Sequence, residues 1–293
     1  MQPHPLKHWA LLFALTAMWG TAFMFIKLGV ATVPPATLVA SRLVIGAALL
    51  YAVMRLRGLA LPPPGRGWLP FAVLAMVGNS VPFYLISWGQ QFIDSALAGI
   101  LIAIMPLATL LLAHFFVAGE RSSAKRAFGF MTGFAGVLVL MGPAALAGFG
   151  GSLANIAAQA AVLAGALCYA TNTIIARRMV AADFLVASTG VMIVASIVMV
   201  PFALVVDRNW VYASSTGSIA AIVWLGVGPT AYATLLYFRL IAAAGPTFMS
   251  LVNYLSPLVA VLAGVLLLGE QPGATALAGL ALILVGVALS RRA

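Results

Sequence analysis

Charge is what this sequence has least of. Only 7% of its 293 residues are Asp, Glu, Lys or Arg, and 64% are hydrophobic. Soluble domains carry roughly 25% charged residues. A water-soluble fold of this length could not enclose so much apolar surface, so the solvent for most side chains must be lipid. Cysteine is nearly absent. Cys168 stands alone, which excludes an intramolecular disulfide and a thiolate metal cluster and leaves it as a small apolar filler. Histidine is limited to His4, His8 and His114. Neither a His-Glu-x-x-His run nor a Gly-x-Ser-x-Gly elbow occurs, which argues against a membrane enzyme. No catalytic residue, cofactor or metal is expected.

Acidic residues number five against fifteen basic ones. The resulting charge of +10 invites a nucleic-acid reading, but the basic residues come in ones, twos and threes between long apolar runs and build no basic face. Such clusters mark cytoplasmic loops of a membrane protein. No acidic residue falls at the centre of an apolar run, so a cation-binding pump and a conventional carboxylate proton relay both lack their central group.

What is abundant is apolar sequence in lengths suited to a bilayer, where a helix needs about 20 residues to cross. Candidate spans are 9–28, 36–54, 68–88, 95–117, 127–143, 153–176, 184–206, 218–238, 247–268 and 274–290. The first is too long for a signal peptide and is read as structure. Turn chemistry fills the joints, as in Pro62-Pro63-Pro64-Gly65, Gly148 to Gly151 and Gly245-Pro246. With the N-terminus cytoplasmic, one side holds Lys7, Arg55, Arg57, Arg66, Arg121, Lys125, Arg126, Arg177, Arg178, Arg239, Arg291 and Arg292, and the other only Lys27, Arg42 and Arg208. That bias puts both termini in the cytoplasm and demands an even number of spans. Trp9, Trp68 and Trp210 then fall near span ends, as interfacial anchors do.

Landmarks recur at half the chain length. Leu38-Val39-Ala40-Ser41 returns as Leu185-Val186-Ala187-Ser188, and Pro106 with Gly119-Glu120 returns as Pro257 with Gly269-Glu270. Trp19 and Lys27 match Tyr169 and Arg177, and all these offsets lie between 147 and 151 residues. Residues 1–146 and 147–293 are therefore read as two five-helix repeats. Five is odd, so the second half enters the membrane inverted, the arrangement of alternating-access transporters.

Polar residues inside spans mark where protein or water replaces lipid. Ser80, Tyr84, Ser87 and Gln91 form one helical stripe in span three, with Asn79, Gln90 and Trp88 beside it. Span six offers Tyr169, Asn172 and Thr173; span eight Thr230, Thr234 and Tyr237; span nine Ser250, Asn253 and Tyr254; and Trp19 sits mid-span in the first helix. Such stripes serve either a substrate pathway or hydrogen bonds between helices. Pro106 and Pro257, about eleven residues into their helices, are candidate gating breaks or static kinks. Arg42 either attracts a substrate carboxylate or snorkels outward, and His114 either titrates or bridges helices. Glu120 and Glu270, beside glycine at span ends, suit a structural role at the next helix better than ion coupling.

Taken together, the Trp19-Gly20 element and the paired Pro…Gly-Glu landmarks give the chain a resemblance, over nearly its whole length, to the drug/metabolite transporter superfamily. It looks like the ten-helix EamA-type exporters and most like the YddG-type exporters of aromatic amino acids; Tyr169-Ala170 departs from a second Trp-Gly pair. The resemblance implies an all-α integral membrane protein with two inverted five-helix repeats around a central cavity. It also implies export of small metabolites across the cytoplasmic (inner) membrane, foremost amino acids with aromatic or other neutral side chains. The missing relay adds facilitated, uncoupled transport. Proton-coupled antiport and translocation of other metabolites or lipid-linked substrates remain the alternatives, with Lys27 and Arg42 as the basic residues a lipid phosphate would require. Expected partners are a small-molecule substrate and the lipid bilayer, not nucleic acid, with a monomer as the working unit.

Overall fold

A computed structural model describes residues 5–116, 128–129, 131–136, 139, 153–179, 183–207, 214–249 and 251–291. Among the described residues the chain is helical with no strand, as a segment in hydrocarbon must be to satisfy its own backbone. We number the helices α1 (Leu6–Val30), α2 (Pro35–Leu56), α3 (Arg66–Gly89) and α4 (Ser95–Phe116). Those between 128 and 139 form α5, followed by α6 (Leu153–Met179) and α7 (Phe184–Val206). Last come α8 (Thr216–Gly245), α9 (Val252–Leu268) and α10 (Ala274–Arg291). Among the described residues, seven helices are long and apolar enough to cross a bilayer, and Leu255–Leu268 and Ala274–Leu289 are shorter apolar helices. The 146/147 repeat boundary lies outside the described residues, as does Glu120.

Contacts at the helix ends fix the directions. Near the end of α1, Lys27 Nζ donates to the carbonyls of Gln90 and Ile93 at 3.0 and 2.8 Å, just beyond the end of α3. α1 and α3 therefore finish on the same side. Gly89, closing α3, is so near Val162 and Ala158 early in α6 that a Cβ there would meet them at 2.8 and 2.9 Å. α6 thus starts where α1 ends and runs the opposite way. α8 does likewise: Ser218, in its first turn, donates to the Leu28 carbonyl at 2.7 Å. α1 packs on α8 and α9 as α6 packs on α3 and α4, while α2 meets α7 and α4 meets α9. Exchanging α1–α5 for α6–α10 maps this set of neighbours onto itself.

Close approach depends on small residues, since lipid tails supply no hydrophobic force between helices. Gly20 of α1 lies against Val259 and the Ser256 carbonyl of α9, and Gly136 of α5 lies against the Gly279 carbonyl of α10. The carboxylates bound to backbone amides sit at helix ends. Asp183 caps its own helix α7, accepting from the Leu185 and Val186 amides. Asp207, at the end of α7, accepts from the Thr37 amide and hydroxyl in the first turn of α2 at 2.6 and 2.7 Å. Gly269 ends α9 in the left-handed conformation (φ 67°), open to glycine without a steric penalty. That turn sends Glu270 not to the next helix but to α4, where its carboxylate accepts from the Ser95 amide, the Ser95 hydroxyl and the Ala96 amide at 2.8–2.9 Å.

A carboxylate on three donors at a helix N-terminus has a stated worth. Glu270→Ala is expected to lower stability by about 2 kcal/mol, the upper range for a lost cap, and Glu270→Gln by about half that. Thermal unfolding of the detergent-solubilised protein measures both; equal midpoints for the wild type and Glu270→Ala would show that the cap contributes nothing.

Candidate functional site

Two interruptions of helical geometry were not anticipated from sequence. α3 widens to π-helical turns over Met76–Ser80, and α8 does so over Gly226–Tyr232. They begin 150 residues apart, inside the offset range that relates the two repeats. A π-turn displaces the backbone ladder by one residue, leaves carbonyls off their usual partners and recurs at functional sites. The signal lay in Gly78-Asn79-Ser80 and Gly228-Pro229-Thr230, small or helix-averse triplets at matching positions.

The first helix of one half lies on the π-segment of the other. Trp19 of α1 donates Nε1–H to the Pro229 carbonyl at 3.2 Å, with its ring 5.7 Å from that of Tyr237. On α6, Asn172 lies over Gly78, where a Cβ would sit 2.6–2.8 Å from the side-chain amide atoms. One turn before, the Tyr169 ring stands edge-on to Phe83, with 6.4 Å between centroids. Phe83 in turn carries the Arg42 guanidinium over its face, 4.0 Å from the ring centre. Arg42 Nε and Nη2 donate to Thr230 Oγ1 at 3.2 and 3.0 Å, and the Thr230 hydroxyl donates to the Leu225 carbonyl at 2.7 Å. Trp19, Thr230, Arg42, Phe83, Tyr169 and Asn172 thus form one connected run between the two π-segments.

Several polar atoms here have no partner. The hydroxyls of Thr16, Ser80, Ser87 and Ser256, Asn172 Oδ1 and both amide atoms of Gln90 are enclosed without a hydrogen bond. In a low-dielectric interior each such group carries a desolvation cost of about 1–3 kcal/mol. Their concentration in α1, α3, α6 and α9 is unusual for helices joined only for stability.

The expected residues divide into those the fold gathers and those it separates. Trp19, Tyr169, Asn172, Tyr237, Asn79 and Ser80 lie at or beside the π-segments, with Arg42 among them. Ser87 is buried one turn past Phe83. Tyr84 instead meets Phe202 of α7 edge-on at 5.1 Å, and Trp88 packs with Phe92 at the end of α3. Gln91 is exposed beyond α3, and its neighbour Gln90 takes the buried place. Asn253 is half-buried on α9, and the side chain of Tyr254 lies outside the described residues. Pro106 follows a break in α4 where the Ala103 and Ile104 amides bond three residues back, to Ile100 and Leu101. Pro257 lies inside α9, preceded by a similar tight turn from Leu251 to Phe248. His114 is exposed near the end of α4, not deep as its position suggested. Phe83 was the residue that sequence reasoning passed over, because an aromatic in an apolar span carries no polar mark. Among the described residues, no group of three or more His, Cys, Asp or Glu side chains could hold a metal.

The pattern of the EamA-like transporter family matches residues 7–142 and again 156–292. The chain belongs to that family, whose members are membrane transporters and not enzymes. It is 26% identical over 260 residues to the "Uncharacterized inner membrane transporter YedA" of Escherichia coli K12, covering 88% of this chain and 82% of that one. It is 28% identical to an "Uncharacterized transporter" of Archaeoglobus fulgidus over 96% of this chain and 98% of the relative. A "Probable terminal-alkyne amino-acid exporter" of Streptantibioticus cattleyicolor is also 28% identical, over 97% of this chain and 93% of that one. A crystal structure of a protein with 22% sequence identity superposes with a TM-score of 0.68 over 99% of both chains, showing the same fold.

Gly78 tests the crossing of α6 over the π-segment. Gly78→Ala forces the short Asn172 side chain aside and is expected to cost about 1–3 kcal/mol, as overpacking does. Gly217→Ala, whose nearest new contact is Ser215 Oγ at 3.9 Å, serves as the control in the same thermal unfolding assay. Indistinguishable midpoints for the two variants would show that α6 does not press on Gly78.

Proposed function

We propose that this membrane transporter exports amino acids with aromatic or other neutral side chains across the cytoplasmic membrane by alternating access. The observation that carries the reading is the pair of π-segments at matched positions, each covered by the first helix of the other half. Broken helices at corresponding places in inverted repeats are where such transporters bind and move. In this reading, residues 1–146 and 147–293 are the two repeats that rock against each other. The tight turns before Pro106 and Pro257 absorb the bending, because each proline also frees the carbonyl four residues earlier.

The solute class rests on three supports. Aromatic rings of Trp19, Phe83, Tyr169 and Tyr237 border the site. The unpartnered polar atoms suit a solute that brings its own donors and acceptors. The relative from Streptantibioticus cattleyicolor carries the name of an amino-acid exporter. Transport is downhill in this proposal: among the described residues, Asp183, Asp207 and Glu270 are committed to helix N-termini, and Asp94 is exposed outside α4. A lipid-linked substrate fits less well, since Lys27 is already bound to two carbonyls. The basic loop residues place both termini in the cytoplasm, with one chain as the working unit.

Expression in a host challenged with toxic aromatic amino-acid analogues is expected to raise resistance. Trp19→Ala and Asn172→Ala should each reduce that gain several-fold at unchanged membrane levels. In proteoliposomes, phenylalanine should equilibrate without accumulating under an imposed pH difference. Accumulation against its gradient would overturn the uncoupled mechanism, and full resistance in both variants would overturn the site.

A further inference from the structure

We propose that Arg42 is the anchor for the substrate's carboxylate, so that the transported class is α-amino acids and related organic acids and excludes their decarboxylated amines. The inference rests on the reading of this site as a transport site and names the group it selects.

Arg42 lies two turns into α2 and only 4% of its side chain is exposed, so the guanidinium does not snorkel to an interface. A guanidinium carries five N–H donors and cannot deprotonate to escape burial. Here Nε and Nη2 converge on a single oxygen, that of Thr230, and among the described residues Nη1 has no acceptor. Among the described residues no carboxylate answers the charge. Asp183 and Asp207 hold the starts of α7 and α2, Glu270 holds the start of α4, and Asp94 is exposed. The Phe83 face offers a cation–π contact, which desolvation strengthens. One hydroxyl and one ring fall well short of the several kcal/mol that removing a cation from water costs.

Nη1 is not among the enclosed partnerless atoms, unlike the hydroxyls of Ser80 and Ser87. The residual exposure of Arg42 is therefore at least partly at the free end of its fork. Thr230 and Phe83 fix the guanidinium from one edge and one face and leave the other edge open, the geometry that receives a carboxylate. A substrate carboxylate would supply the partner that Nη1 lacks. At the matching position of the other half no second cation competes, because the residue after the repeated Leu-Val-Ala-Ser is Thr189.

The test compares phenylalanine, 3-phenylpropionate, phenylalanine amide and phenethylamine as inhibitors and substrates in proteoliposomes. For the wild type, phenylalanine is expected to be handled at least tenfold better than the amide or the amine, with 3-phenylpropionate retaining binding. Arg42→Gln should lower phenylalanine uptake at least tenfold and erase the preference for carboxylates, while Arg42→Lys keeps part of it. Equal handling of phenylalanine and phenethylamine by the wild type would overturn the proposal and needs no variant, so a poorly folded Arg42→Gln does not blunt the test. Unchanged phenylalanine uptake by folded Arg42→Gln would overturn it as well. If no aromatic solute is transported, the same acid–amide–amine comparison is run with aliphatic amino acids. A carboxylate preference that Arg42→Gln abolishes there upholds Arg42 while the aromatic reading fails, and its absence overturns Arg42 too.

Discussion

Hydrocarbon offers no water to a backbone amide, a carbonyl or a charge, and nearly every feature of this chain follows from that one constraint. Helices are the only open-ended way to satisfy a spanning backbone. Their ends still leave orphan donors and acceptors. The few charged side chains go to those ends: Asp183, Asp207 and Glu270 to N-terminal amides, and Lys27 to the carbonyls where α3 stops. With acidic residues this scarce, using three as caps leaves little for chemistry at depth.

Two of those caps act between halves. Asp207 belongs to the second half and holds α2 of the first, and Glu270 likewise holds α4. An ordinary cap stabilises its own helix and says nothing about tertiary arrangement. A cap supplied by another helix couples the two, because separating them strands a carboxylate and several amides at once. This explains the Gly-Glu landmark: the glycine turns the chain out of α9 and the glutamate spans the gap.

The fold was largely legible because hydropathy and charge bias act over whole spans and tolerate local error. The apolar run at 184–206 coincides with α7, and the run at 36–54 falls within Pro35–Leu56. The site was less legible, for two physical reasons. Stripe arguments assume 3.6 residues per turn, and they carried the span-three stripe on to Gln91, which lies beyond the helix end. A π-segment breaks that assumption exactly where polar residues gather, so Asn79 and Ser80 were found but the widened turn that holds them was not. Partnership is also invisible in sequence. Arg42 had two open fates, and only the positions of Thr230 and Phe83 distinguish a held guanidinium from a snorkelling one. Glu270 was assigned a structural role from its place beside glycine, but which helix it served could not be read from one dimension.

The neighbour pattern is close to two-fold, yet the chemistry at its centre is not. Trp19 answers to Tyr169, Thr230 to Ser80 and Arg42 to Thr189. Trp19 and Tyr169 both reach across, to different kinds of partner, whereas in the other two pairs only Thr230 and Arg42 do so. Thr230 accepts from Arg42, whereas the Ser80 hydroxyl has no partner and Thr189 bonds only back to the Leu185 carbonyl of its own helix. In the proposed mechanism, a near-symmetric backbone would give two conformations of similar energy, which rocking requires. Asymmetry in the side chains would let the proposed substrate, an amino acid without a two-fold axis, bind in one orientation. A second arginine at position 189 would restore the symmetry and place two like charges in the same low-dielectric centre, a repulsion that one carboxylate could not neutralise. In the proposed mechanism, one cation buried at this point of a near-symmetric frame would leave the frame able to move and still distinguish one end of the substrate from the other.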